Sequence, residues 1–194
     1  MKKHRLALFV SGTGSNALNM ATYFSHHQFI EIGLLITNNA SSPAIQAFEE
    51  MQIPCAVIDN YQAADGKFLI DLCISHGIDH VVLAGYLRLI PASFIIEFSN
   101  RIFNVHPALL PKFGGKGMYG NRVHAAVLEA GEVESGITIH LVNEHFDEGK
   151  TLAQFHCPVD QNDSIELLRM KVQKLEHAHY PEVIEQSLNT DTHV

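Results

Sequence analysis

The first half of the chain alternates short apolar runs with stretches of helical period. Arg5–Val10 (RLALFV) and Ile30–Thr37 (IEIGLLIT) are nearly continuous apolar runs. Pro54–Ile58 is a shorter one, and Asp79–Gly85 (DHVVLAG) and Arg101–Val105 (RIFNV) repeat the pattern. Apolar residues at successive positions mark strands covered on both faces. Between these runs, Gly14–Phe24 opens a helix with Ser15 or Asn16 as its expected cap. Ser41–Met51 opens another with Pro43 near its first position, and Asp65–Gly77 is a helix closed by Gly77. Strands alternating with helices at this spacing predict βαβ units, and so a mostly parallel sheet with helices on both faces.

Beyond Gly120 the pattern changes. Asn121–Gly131 is a helix closed by Gly131. Gly136–Val142 and Thr151–Val159 are two strands joined by a short loop, which predicts a late antiparallel pair. Asn162–Leu188 is a long helix, where Asp163 followed by Glu166 reads as a capping box and Pro181 predicts a kink or a second segment. Leu168, Val172, Leu175, Glu176 and His179 share one face of it, so Glu176 lies on or beside the inward stripe, where a carboxylate needs a cation. Residues 189–194 read as a frayed end. There is no repeat, low-complexity run or linker, and the expectation is one α/β domain over 1–194, Rossmann-like, ending in the strand pair and the long helix.

Composition narrows the function. A chain of 194 residues can bury a full core. A net charge of −8 implies no general affinity for nucleic acid, so an anionic substrate needs local donors. The apolar start is too short for a membrane span and runs straight into a glycine turn. A cytoplasmic chain with small-molecule partners, and neither nucleic acid nor membrane, is expected; the oligomeric state stays open. Cys55, Cys73 and Cys157 have no paired spacing and read as buried reduced thiols. Thirteen histidines invite a metal, but none has ligand spacing: Gly77 interrupts His76 and His80, His177 and His179 point differently on a helix, and His156 and Cys157 alternate across a strand. No metal is expected.

Five stretches carry candidate chemistry. Ser11–Asn16 (SGTGSN) joins the first strand to the first helix, where a helix N-terminus favours an anion such as phosphate; a plain βα turn is the alternative. The glycine spacing also loosely fits a dinucleotide fingerprint, but the second strand ends in Thr37, Asn38 and Asn39 rather than an acid, which argues against NAD. Asn104 and His106 stand two apart at a strand's carboxyl end, on one side, where an amide donor and an imidazole would serve an oxyanion; a structural histidine is the alternative. Asp147 lies in the loop between the late strands, as a turn residue or as a partner for His106. Arg88 interrupts the apolar run Leu83–Pro91, as a snorkelling cation or beside an apolar pocket wall. Glu176 faces a substrate amine or a structural cation.

Taken together, SGTGSN at 11–16, LAGYLRLI at 83–90, NVHPALLP at 104–111, His124 followed by Gly131, HFDEG around Asp147 and LEHAHYP around Glu176 resemble, in order and over roughly residues 5–188, the phosphoribosylglycinamide formyltransferases. The resemblance implies the formyltransferase fold and 10-formyltetrahydrofolate as co-substrate. It implies His106 as general acid and oxyanion stabiliser, Asn104 as donor to the formyl oxygen, and Asp147 holding His106 protonated. Gly12, Thr13, Gly14, Ser15 and Asn16 would bind the ribonucleotide phosphate and Glu176 the glycinamide end. Leu87, Arg88, Leu89, Ile90, Asn104, Asn143, Glu144 and His145 would line the folate site. Thr13, Ala108 and Asp65 depart from common family residues, and any contribution of Lys112, Lys116 or Lys67 stays open. A transfer-RNA formyltransferase or a formyltetrahydrofolate hydrolase would carry an additional domain, which this chain is expected to lack.

Overall fold

The computed structural model describes residues 3–190. They gather into two units that divide between Phe103 and Asn104. The first holds β1 (His4–Val10), α1 (Ser15–Phe24), β2 (Ile30–Thr37), α2 (Ala44–Glu50), β3 (Cys55–Val57), α3 (Asn60–Ala64), α4 (Gly66–Ser75), β4 (His80–Leu83) and α5 (Ala92–Glu97). β5 (Ile102–His106) runs across the division. The second holds α6 (Asn121–Glu129), β6 (Glu134–Leu141), β7 (Thr151–Pro158) and α7 (Ile165–Thr190).

The strands form a seven-stranded sheet in the order β3-β2-β1-β4-β5-β6-β7. β1 pairs in parallel with β2 and β4, β2 pairs in parallel with β3, and β6 and β7 pair antiparallel. The mostly parallel sheet with its late antiparallel pair agrees with the alternation of apolar runs in the sequence. In the first unit Leu6–Val10 and Leu34–Ile36 are buried outright, as strands covered on both faces must be. In the second unit β7 alternates exposed and half-buried positions, as an edge strand does.

Helix ends differ from expectation in instructive ways. α1 is capped by Gly14 at φ 75°, and Ser15 and Asn16 are the first two residues of the helix rather than its cap. A side chain at Gly14 would meet the Ala44 Cβ at 2.6 Å, so the turn into α1 is left-handed and close-packed, and only glycine fits. Two short helices escape the sequence pattern. α3 is held by a capping box in which the Asp59 carboxylate accepts from Tyr61 and Gln62 N–H groups and Gln62 reaches back to Asp59. α5 follows Pro91 and buries Phe94 and Ile95. Asp65 caps α4 by accepting from the Phe68 N–H, and Lys67 pairs with Asp71 at 2.6 Å, which accounts locally for both groups.

α7 starts one residue later than a box on Asp163 requires. Ser164 Oγ accepts from the Leu167 N–H at 3.2 Å. Asp163 instead accepts from the Asp160 N–H and pairs with Lys171, and Glu166 pairs with Arg169. The helix continues through Pro181 as one element. The missing proline N–H costs one helical bond, while buried Tyr180, Val183, Ile184 and Leu188 anchor the turns around it. Leu168 and Val172 are buried as expected, whereas Leu175, Glu176 and His179 are half-buried, and the inward line continues through Tyr180. Asn189 and Thr190 belong to α7, and residues 191–194 of the expected frayed end lie outside the described residues. Cys73 is buried and its thiol is pushed up to about 12 by desolvation, but Cys55 and Cys157 are only half-buried.

Candidate active site

In the second unit, β5 delivers Asn104 and His106 to its carboxyl end two residues apart, and His106 is 4% exposed. The imidazole Nε2 lies 2.8 Å from the Phe113 carbonyl oxygen. A carbonyl only accepts, so Nε2 carries a proton, and Nδ1 is the atom presented to Asp147, 3.5 Å from Oδ2. Asp147 sits at φ 56°, a left-handed conformation that Asp tolerates better than most side chains. Its Oδ2 also accepts from the Gly115 N–H at 2.9 Å. The Phe113–Gly115 backbone therefore holds both members of the pair, one through a carbonyl and the other through an amide.

Asn104 is oriented by a residue the sequence pattern hides. His140, on β6 and 2% exposed, has Nδ1 at 3.0 Å from the Leu141 carbonyl and Nε2 at 3.0 Å from Asn104 Nδ2. Burial holds His140 below the ordinary imidazole value, against the opposite pull of the Leu141 carbonyl and Asp147. The neutral ring must therefore keep its proton on Nδ1 and accept the Asn104 amide at Nε2. One Nδ2 hydrogen is used in this way, and the second remains available as a donor.

Thr138 braces the segment that follows His106. Its hydroxyl donates to the Ala108 carbonyl at 2.7 Å and accepts from the Leu110 N–H and from Gln154 Nε2, each at 2.9 Å. Ala108 is fully buried and contributes backbone alone. Lys112 pairs with Glu132 at 2.8 Å, while Lys116 is exposed. Asn143 accepts from the His145 N–H in an Asx turn, and Asn143, Glu144 and His145 are all exposed. Glu176 is half-buried, and its charge acts on Arg169 and on the buried Tyr180 hydroxyl.

In the first unit, Gly12 and Thr13 are exposed at the end of β1, Gly14 is buried, and Ser15 and Asn16 open α1 at the positive end of its dipole. Ser42 Oγ donates to the Gly12 carbonyl at 2.8 Å. After β4, Gly85 turns the chain at φ 79°. Tyr86 tucks in edge-to-face against Phe9, Leu87, Arg88 and Leu89 face outward, and Ile90 is buried. Among the described residues no group of three or more His, Cys, Asp or Glu side chains is placed to hold a metal ion, and no helix is long and apolar enough to cross a membrane.

An imidazole faced by a carboxylate, beside an amide with a donor to spare, at the carboxyl end of a strand in a Rossmann-like sheet, is equipment for acyl-group transfer. The sequence matches the formyl transferase family over residues 4–184, and the chain belongs to that family. It is 42% identical to the chloroplastic phosphoribosylglycinamide formyltransferase of Arabidopsis thaliana over 94% of its own length, and spans 65% of the length of that relative. It is 34% identical to the phosphoribosylglycinamide formyltransferase of Bacillus subtilis, covering 97% of this chain and 95% of that one. The crystal structure of glycinamide ribonucleotide transformylase 1 from Geobacillus kaustophilus superposes with a TM-score of 0.87 at 28% identity, over 96% of this chain and 99% of that one.

Proposed function

We propose that this protein transfers the formyl group of 10-formyltetrahydrofolate to the amine of 5′-phosphoribosylglycinamide, a step of purine biosynthesis. The observation that carries the reading is the Asn104–His106–Asp147 cluster in a chain of the formyl transferase family. The substrate amine attacks the formyl carbon and forms a new C–N bond. The carbonyl oxygen becomes an oxyanion, which the spare Asn104 amide hydrogen and His106 Nδ1–H stabilise. Collapse breaks the bond to N10 of the folate, which leaves with a proton as tetrahydrofolate, and the amine gives up a proton in the same overall step. Asp147 orients the His106 ring and organises this proton transfer.

On this reading Gly12, Thr13, Gly14, Ser15 and Asn16 hold the ribonucleotide phosphate, and Glu176 holds the glycinamide end. Leu87, Arg88, Leu89 and Ile90, with Asn104, Asn143, Glu144 and His145, line the folate site. The family match runs through both units, which supports one formyltransferase domain over the chain. The partners are small molecules, with neither nucleic acid nor membrane, and the compartment is the cytoplasm. A formyl-transfer assay on His106→Ala and Asp147→Asn tests the roles. Each variant loses on the order of a hundredfold or more in rate while circular dichroism stays that of the wild type. Near-normal turnover in both would sink the mechanism.

A further inference from the structure

Ser11 stands between β1 and the glycine turn, and nothing in the chemistry above uses it. Its backbone N–H donates to the Gly85 carbonyl at 3.1 Å. Its hydroxyl accepts from the Leu87 N–H at 2.9 Å and donates to Asn38 Oδ1 at 2.6 Å. The hydroxyl is thus donor and acceptor at once, and the two bonds polarise each other. Through this one residue the segments that follow β1, β2 and β4 are tied together, although Leu87 is 76 positions away in the chain.

What lies on either side of the tie gives it a purpose. One residue on, Gly12 and Thr13 open the exposed turn into α1. On the other side, Leu87 and Leu89 are 58% and 67% exposed, an apolar strip presented outward from a segment that reverses at Gly85. Such a strip keeps its shape only if its backbone is held, and the Leu87 N–H is held by Ser11.

We infer that Ser11 is a positioning residue that locks the backbone of the folate wall to the phosphate turn, so that both substrates depend on one hydroxyl. The inference rests on the functional reading above for the identity of the two ligands. In Ser11→Ala the Leu87 N–H and Asn38 Oδ1 turn to water, and both segments must be ordered anew on binding. That ordering cost falls on substrate capture rather than on the acyl-transfer groups.

The experiment is steady-state kinetics with 10-formyltetrahydrofolate and phosphoribosylglycinamide on wild type, Ser11→Ala, Ser11→Thr and Asn38→Ala. Ser11→Ala raises KM for both substrates by about tenfold, with kcat within about threefold. Ser11→Thr, which keeps the hydroxyl, restores most of the loss, a pattern that general destabilisation would not give. Asn38→Ala removes only the acceptor that aims the hydroxyl; it moves both KM values in the same direction by less, and it carries the test should Ser11→Ala fail to fold. Unchanged KM values, or a rise for one substrate alone, overturn the assignment. A wild type without transfer activity overturns the functional reading, and the assignment falls with it.

Discussion

At the scale of single residues, the site is a set of polar groups whose roles are set by what can only accept. The Phe113 and Leu141 carbonyls fix the protons on His106 and His140, and those protons then decide which nitrogen faces Asp147 and which receives Asn104. Thr138 does comparable work without touching the reacting groups, since three hydrogen bonds converge on its hydroxyl from the segment after His106 and from β7. Thr138→Val keeps the shape and removes all three. It is expected to cost roughly 1–3 kcal/mol in chemical denaturation, because the Leu110 N–H and Ala108 carbonyl lose a buried partner. A denaturation midpoint equal to the wild type would show that the brace is dispensable.

At the scale of elements, the sheet is held in register by close backbone approach as well as by side chains. A Cβ at Gly136 on β6 would lie 1.9 Å from the Phe155 carbonyl oxygen on β7 and 2.9 Å from Leu109. Gly136→Ala therefore pushes β7 away at the centre of the antiparallel pair, with an expected loss of roughly 2–3 kcal/mol; thermal melting with stability unchanged would contradict this packing. The long strands are legible in the sequence because strands covered on both faces are apolar at every position, as Leu6–Val10 is. α5 is not, because Phe94, Ile95 and Ile96 extend an apolar run with no helical period of their own, and α3 rests on one capping box at Asp59 and Gln62. In the site, the spacing of Asn104 and His106 is legible because alternation dictates it. His140 is not, because a polar residue inside a buried strand looks the same from sequence whether it supports a site or fills a core. Ser11 is hidden for the opposite reason, since a serine before a glycine turn needs no explanation.

At the scale of the whole molecule, buried histidines tie stability to pH. His124 is 3% exposed and its imidazole is lowered to about 4, first by desolvation and then by the charges of Arg169 and His106. His140 is lowered in the same direction. An imidazole whose folded value lies below its ordinary one stays neutral in the fold while the unfolded chain takes up the proton. Its contribution is therefore complete above about pH 6.5 and is lost as pH falls toward 4, at up to about 1.4 kcal/mol per pH unit for one group. Urea denaturation at pH 7 and pH 4.5 should show the wild type losing roughly 2–3 kcal/mol more than His124→Asn, and equal losses would contradict a neutral buried imidazole. The central claim concerns chemistry rather than stability, and one assay reaches it directly. The protein is mixed with phosphoribosylglycinamide and 10-formyltetrahydrofolate, and tetrahydrofolate is followed spectroscopically. The prediction is catalytic release of tetrahydrofolate, matched by formylated ribonucleotide and dependent on both substrates; no release, or release that continues without the ribonucleotide, would contradict it.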